Sequence, residues 1–197
     1  MSSSRGLWLS SPNFGLIVSG LTIEADRTFA PTYSYRGFAW LEEGLSKDVQ
    51  QGLTAYRAGF PDFDLAIKLD PNYAPVRRHR GNTIIATYKA LKALGKPTNG
   101  ILDRAIDDLK AAVTLDPASK ANANALGEGY LVKGSYDLAI ESFKNAIQRD
   151  KTYAAPYSGL CTAYKLAGNL SEANRYAKLA AELDDGLKSK PCLTRKI

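Results

Sequence analysis

Two nine-residue segments of this chain share one sequence pattern, which we call the repeated phrase. FAPTYSYRG occupies residues 29–37, and YAPVRRHRG occupies residues 73–81, 44 positions further on. The aromatic residue, the alanine, the proline, the arginine and the glycine keep their places, while the residues between them change. A catalytic motif has no reason to recur in this way, whereas a structural unit that is used again does. The repetition therefore constrains the fold before any single residue is interpreted.

Aspartates mark the same point of every copy and give the period. Their spacings are 44, 46, 34 and 34 residues, and a period of 34 is typical of arrays of helix–turn–helix units. Prolines follow where a helix can begin, because proline is tolerated in the first helical turn. We therefore predict that each phrase starts a stacked helix. The aspartates are Asp26, Asp70, Asp116, Asp150 and Asp184, and the prolines are Pro31, Pro75 and Pro156.

The third copy, residues 120–153, carries two apolar stripes at helical spacing. Gly134 lies between them and is predicted to end the first helix, because glycine adopts the left-handed conformation without strain. Ser135 is predicted to cap the second helix by accepting a backbone N–H bond. Gly127 and Ala139 are small, as we expect where two antiparallel helices approach closely. The pattern predicts a helical hairpin.

These residues resemble the tetratricopeptide repeat. The third copy reads Leu126-Gly127-x-x-Tyr130, then Ala139-x-x-x-Phe143 and Ala146, and the fourth copy keeps a similar pattern from Tyr157 to Ala180. The resemblance implies an all-α solenoid of stacked antiparallel helix hairpins, the tetratricopeptide superhelix. We predict one array made of a half repeat, four units and a basic tail. They occupy residues 12–29, 30–73, 74–119, 120–153, 154–187 and 188–197.

The first two units depart from the family pattern. Arg36 and Arg80 replace the usual leucine, and both units carry extra residues between their helices. The second unit is predicted to hold two lengthened helices around the GKPTNG turn at residues 95–100. In the first unit we expect a short helix near 47–58 and a truncated helix from Pro61, because proline cannot donate the interior helix bond.

Composition sets the remaining expectations. The net charge is +6, and part of the excess lies in the last dozen residues, which we interpret as a solvated tail. The apolar segment 15–23 is too short for a membrane span, so we expect a cytoplasmic protein, with export as the alternative if this segment belongs to a longer precursor. Cys161 and Cys192 fit no zinc or redox spacing, so reduced thiols are expected, with Cys161 a packing residue.

No group of residues in the sequence indicates catalysis. His79 is the only histidine, and we interpret it as a surface or groove residue because no second metal ligand stands at a suitable spacing. Neither cysteine has a histidine partner that would make it a nucleophile. We predict no enzymatic activity, no cofactor and no metal. The carboxylates at helical spacing are interpreted as solvated; they are Asp103, Asp107, Asp108, Glu172 and Glu182.

The resemblance implies that the first helices of the units line a concave groove that binds a peptide. Arg78 and Asn82 resemble the start of the clamp with which some family members hold the C-terminal carboxylate of heat-shock chaperones. Ala125, Ala155 and Gly159 stand where the rest of that clamp should be, so chaperone binding is not expected. The predicted groove residues are Ser34, Phe38, Leu41, Arg78, Asn82, Ile85, Asn124, Glu128, Leu131, Ser158, Thr162 and Lys165.

We therefore predict a non-catalytic scaffold that holds a peptide or protein partner in the groove. One alternative is a protein that binds nucleic acid or an anionic surface through Arg77, Arg78, Arg80 and the basic tail. Another is a subunit or fragment of a larger enzyme or assembly complex. The half repeat at 12–29, and the lack of a polar capping helix after the fourth unit, favour this second alternative. The uncovered N-terminal end also leaves open a homo-oligomer.

Overall fold

The computed structural model describes residues 26, 28–187 and 192 of the chain. This part of the chain forms eight α-helices and one 3₁₀ turn, and it contains no β-strand. The all-α prediction is confirmed. The helices are α1 (Ala30–Leu45), α2 (Val49–Leu69), α3 (Ala74–Ala93), α4 (Ile101–Leu115), α5 (Lys120–Lys133), α6 (Tyr136–Arg149), α7 (Ala154–Leu166) and α8 (Leu170–Leu183), and the 3₁₀ turn is Asp185–Leu187.

The chain divides into two compact units, Met1–Asp108 and Leu109–Ile197, and the boundary falls inside α4. In the first unit α1 packs on α2, and α3 contacts both of them. In the second unit α5 pairs with α6 and α7 pairs with α8, while α7 also contacts α5 and α6. Neighbouring helices therefore form hairpins in each unit. The predicted half repeat and basic tail lie largely outside the described residues.

Both copies of the repeated phrase start a helix. Phe29 and Tyr73 are extended residues directly before α1 and α3, and each helix has a proline in its first turn. The preceding aspartate shapes the turn that leads there: the Asp70 carboxylate accepts the backbone N–H of the second residue after it at 2.9 Å. This role was not predicted from the sequence. Asp26, Asp150 and Asp184 accept the same bond.

The first unit is lengthened rather than interrupted, so the predicted break at Pro61 is wrong. One helix, α2, runs continuously through this proline. Pro61 has no N–H group to donate to the carbonyl of Arg57, one turn earlier in the helix. Both residues are exposed, so water can bond that carbonyl instead. Fully buried Phe63 and the close approach of Gly59 to the backbone of α1 fix the helix on either side. Packing therefore offsets the lost bond.

The helix boundaries of the third copy show one confirmed prediction and one error. Gly134 ends α5 with a φ of 85°, in the left-handed region, as expected for a glycine at this position. Ser135 occupies the predicted position before α6, but its side chain accepts no capping bond. Side-chain caps do occur at Asp48, Ser119 and Asn169. Residue type alone did not distinguish these positions from Ser135.

Close helix contacts in both units join a large aromatic side chain to a glycine. A Cβ atom on Gly37 would lie 2.5 Å from the Phe63 ring. A Cβ atom on Gly127 would lie 2.7 Å from the Phe143 ring, and one on Gly159 would lie 2.5 Å from it. Phe63 and Phe143 are completely buried. These glycines allow the helices to approach closely, as predicted for Gly127.

Candidate interaction surface

The repeated phrase places an arginine beside a buried aspartate in the first unit. Arg36 on α1 donates from Nε and Nη2 to the two carboxylate oxygens of Asp62 on α2, at 2.7 and 2.6 Å. The bond to Asp62 raises the pKa of Arg36 above its usual value. A two-point contact of this kind is directional as well as strong. The arginine that breaks the apolar family pattern therefore joins the two helices.

The second copy of the phrase repeats this ion pair. Arg80 on α3 donates from Nε and Nη2 to the two carboxylate oxygens of Asp108 on α4, both at 2.7 Å, and from Nη1 to Asp64 at 2.7 Å. Arg77 adds a 3.4 Å contact to Asp108. The interpretation of Asp108 as a solvated carboxylate is wrong, since only 5% of it is exposed. Arg77 and Arg80 carry charges that are already paired.

His79 is buried between α1 and α3, so its interpretation as a surface or groove residue is also wrong. Only 4% of it is exposed. Its Nδ1 lies 2.9 Å from Ser34 Oγ, and its Nε2 lies 3.2 Å from Arg78 Nη2. The Phe38 ring stacks on the imidazole with a centroid distance of 4.6 Å. Burial, reinforced by the charge of Arg78, lowers the pKa of His79 to about 3. The ring is therefore neutral at physiological pH.

Around this histidine lies a mixed aromatic and polar surface, which we call the His79 cluster. It consists of Tyr35, Phe38, Tyr73, Arg78 and Asn82. Tyr35 is 55% exposed, and Phe38, Arg78 and Asn82 are partly exposed. Tyr73 is hydrogen-bonded to Tyr35, and burial raises its pKa. The side-chain oxygen of Asn82 is itself buried and accepts no hydrogen bond from the described residues. The cluster presents aromatic rings, a guanidinium and an amide together.

The other groove residues predicted in the first unit have different surroundings. Ser34 is fully buried and holds His79. Leu41 belongs to the hydrophobic cluster formed with Leu53 and Tyr56. Ile85 is also buried. These three side chains stabilise the helix packing, so Phe38, Arg78 and Asn82 are the predicted groove residues of this unit that are partly exposed.

Most groove residues predicted in the second unit are buried too. Leu131 packs in the core around Phe143. Asn124 is buried and donates from Nδ2 to Glu128 Oε1 at 2.9 Å. Lys165 is exposed and Glu128 is partly exposed. Buried Ser158 and Thr162 complete the set, with Thr162 Oγ1 bonded to the Ser158 carbonyl at 3.1 Å.

The expectation of reduced thiols is wrong. Cys161 on α7 and Cys192 form a disulfide, with their Cα atoms 5.1 Å apart. The spacing of 31 residues gave no signal, because disulfide pairing depends on distance in the folded chain. Cys161 is buried, as its packing role predicted.

The described residues contain no group of three or more histidine, cysteine, aspartate or glutamate side chains that could hold a metal ion. None of their helices is long and apolar enough to cross a membrane.

The chain was compared with known proteins. No family model matches it. Protein bimA of Emericella nidulans is 28% identical to this chain over 82 residues. The match covers 42% of this chain, and the chain spans only about 10% of the length of that protein. A thermophilic TPR protein of Thermus thermophilus superposes with a TM-score of 0.72 and 20% identity over 93% of this chain and 90% of that one. A MamA structure from Desulfovibrio magneticus RS-1 gives a TM-score of 0.63 and 19% identity, over 92% of this chain and 90% of that one.

Proposed function

We propose that this chain, which has the tetratricopeptide-repeat fold, is a non-catalytic scaffold that binds a peptide or protein segment. The fold supports a protein-interaction role in general, because repeat arrays present extended binding surfaces. The finer proposal is that the His79 cluster of the first unit contacts the partner. The predicted groove residues Glu128 and Lys165 of the second unit are proposed as further contacts.

The observation that carries this proposal is the composition of the His79 cluster and the contacts that hold its side chains. Tyrosine and arginine are enriched among the residues that contribute most to protein interfaces. Ser34 orients His79 through a 2.9 Å bond, and His79 in turn contacts Arg78 and stacks on Phe38. A surface that is already ordered loses less conformational entropy when it binds. The cluster is therefore prepared to recognise a ligand.

The chemistry of the cluster indicates what it would hold. We propose that Arg78 meets a carboxylate or a backbone carbonyl of the partner, and that partly exposed Asn82 lies beside this contact, one helical turn further along α3. Charge-assisted bonds that are shielded from water contribute about 1.5–3 kcal/mol. Exposed Tyr35 and stacked Phe38 would cover apolar parts of the same segment.

A double substitution tests the proposal. The full chain, wild type or with Arg78→Ala and Asn82→Ala, is used to capture proteins from its native cell, and captured proteins are identified by mass spectrometry. Calorimetry then measures the affinity of each protein that only the wild type retains. We expect the double variant to bind at least about tenfold more weakly, since 1.4 kcal/mol is a factor of ten. Its melting temperature should be nearly unchanged.

Arg57→Ala is the matched control. Arg57 is an exposed arginine on α2, outside the His79 cluster, so its loss removes the same charge without touching the cluster. Equal affinities of the wild type and the double variant would show that the cluster is idle. A collapsed melting temperature would show instead that Arg78 and Asn82 are structural.

Binding of nucleic acid or an anionic surface has less support. Two of the three arginines on which that alternative depends, Arg77 and Arg80, are paired with Asp108. For the compartment, the disulfide favours export over the cytoplasm, because thiols are kept reduced in most cytosols. We retain a role inside a larger assembly, and self-association through the N-terminal end, as outcomes that the capture experiment would reveal.

A further inference from the structure

The repeat register shows what is missing in the last hairpin. In the preceding hairpin the Phe143 ring fills the space beside Gly127 on its own first helix and beside Gly159 on the next one. Thirty-four residues further along, Ala177 takes the place of Phe143 and Cys161 takes the place of Gly127. The last hairpin therefore has no buried ring at this position, although partly buried Tyr164 on α7 and Tyr176 on α8 stack with their centroids 5.6 Å apart.

Burial in the second helix of each hairpin reflects this loss. Helix α6 buries four residues, which are Ala139, Ser142, Phe143 and Ala146. Helix α8 has the same length, 14 residues, but buries only Ala173 and Ala180. Because helix stability in proteins comes mainly from tertiary packing, α8 is held less firmly by packing than α6.

The disulfide lies where this packing is lost. Cys161 is only 1% exposed, and its bond partner Cys192 is partly exposed. In the 34-residue register Cys192 corresponds to Ser158, the fifth residue of α7. Helix α7 is the first helix that packs on the preceding hairpin. Cys192 thus stands at the register position from which a following first helix would contact the last hairpin.

We propose that the Cys161–Cys192 disulfide is a redox-sensitive clasp that stabilises the last hairpin, where no buried ring stands at the register position of Phe143. A dithiol opens it: a thiolate attacks the partly exposed Cys192 sulfur, and the second thiol of the reagent then displaces that sulfur. The dithiol becomes a disulfide, and its two electrons and two protons convert both cysteines to thiols. The opened form keeps the first unit intact but exposes the backbone of α7 and α8 to solvent more often.

Hydrogen exchange on the full chain tests this clasp. The chain is first oxidised with oxidised glutathione, and its amide exchange is measured with and without dithiothreitol. We expect reduction to lower the protection of α8 amides at least tenfold while α1–α3 exchange at the same rate, so the first unit is an internal reference. Cys192→Ser should exchange like the reduced wild type and show no response to dithiothreitol.

Three results would overturn the clasp. The first is two free thiols in the oxidised chain, found by alkylation and peptide mapping. The second is equal protection of α8 in the oxidised and reduced wild type. The third is a Cys192→Ser variant that exchanges like the oxidised wild type, which would show that the hairpin is stable without the bond.

Discussion

A single histidine makes the stability of the first unit depend on pH. His79 is buried beside Arg78, and both burial and that positive charge favour the neutral ring, whereas the hydrogen bond with Ser34 acts in the opposite direction. The pKa of His79 is therefore about 3 in the folded chain, against a usual value of 6.5. Because the folded-state pKa is depressed, the full stability is present above pH 6.5. It is lost progressively as the pH falls toward 3.

We therefore expect the unfolding free energy of the wild type to fall by about 2 kcal/mol between pH 7.5 and 5.0, since each unit of pH below 6.5 costs about 1.4 kcal/mol. Denaturant melts across this range measure the change. His79→Gln has no titrating ring and keeps an N–H donor for Ser34 Oγ, so its stability should be flat over the same range. Parallel pH profiles for the two proteins would show that His79 does not titrate on unfolding.

Gly127 is a residue of the second unit at which added volume should be costly. A Cβ there would already lie 2.7 Å from the Phe143 ring, so Gly127→Leu must separate α5 from α6. We expect a loss of more than about 2 kcal/mol in unfolding free energy, because overpacking adds to the lost helix contact. Glu141→Leu adds a leucine at an exposed position of α6 and is the control. A change below about half a kcal/mol at Gly127 would exclude the close contact.

At the scale of the elements, the hairpins are joined in two different ways. The first two hairpins use an arginine on the first helix and an aspartate on the second, as in Arg36–Asp62. In the third hairpin the corresponding residues are Leu126 and Ser142, and apolar packing around Phe143 joins its helices. A buried ion pair contributes specificity more readily than net stability. The two kinds of hairpin should therefore respond differently to substitution.

The Arg36–Asp62 pair gives a direct test. Arg36→Leu leaves the nearly buried Asp62 carboxylate without its partner, and we expect it to cost about 2–4 kcal/mol, less than a fully buried pair because Arg36 is about a third exposed. Arg36→Leu combined with Asp62→Ser copies the third hairpin and should recover most of that loss. A double-mutant cycle from denaturant melts measures the coupling. Additive losses would show that the two side chains do not stabilise each other.

At the scale of the whole molecule, the excess of positive charge does not by itself make a nucleic-acid surface. The net charge is +6, but Arg36, Arg77 and Arg80 are engaged with carboxylates. Phosphate binding needs cations that are available to replace counterions, and it weakens steeply as salt rises. The paired arginines can supply little of that effect.

We expect no binding of single-stranded or duplex nucleic acid tighter than about micromolar at physiological salt, where even non-specific binders reach only about 10⁻⁴–10⁻⁶ M. Gel shifts and fluorescence anisotropy at two salt concentrations measure this. A variant with Lys188→Gln and Lys190→Gln shows whether any residual nucleic-acid affinity depends on the basic tail. Nanomolar affinity with a steep salt slope would favour the nucleic-acid alternative over the protein scaffold.

The sequence by itself determined the repeating architecture. Asp70, Pro75 and Gly134 act through the backbone of their own neighbourhood, so their effect on turns and helix ends can be read locally. The phrase containing Arg36 and its copy containing Arg80 also pointed to a shared structural role, although the partner of each arginine was missed. An aspartate recurs 26 residues after Arg36 and 28 residues after Arg80. That coincidence was the signal that could have identified both ion pairs.

Only the tertiary structure decided how residues far apart in the chain meet. It kept α2 continuous through Pro61 because Phe63 and Gly59 pack against α1, and it buried His79 because Ser34 and Phe38 lie beside it. Burial, charge pairing and disulfide formation depend on distances in the folded chain, and sequence periodicity does not contain those distances. For the same reason periodicity placed the predicted groove residues on the first helices but could not separate the buried ones from those that a partner can reach.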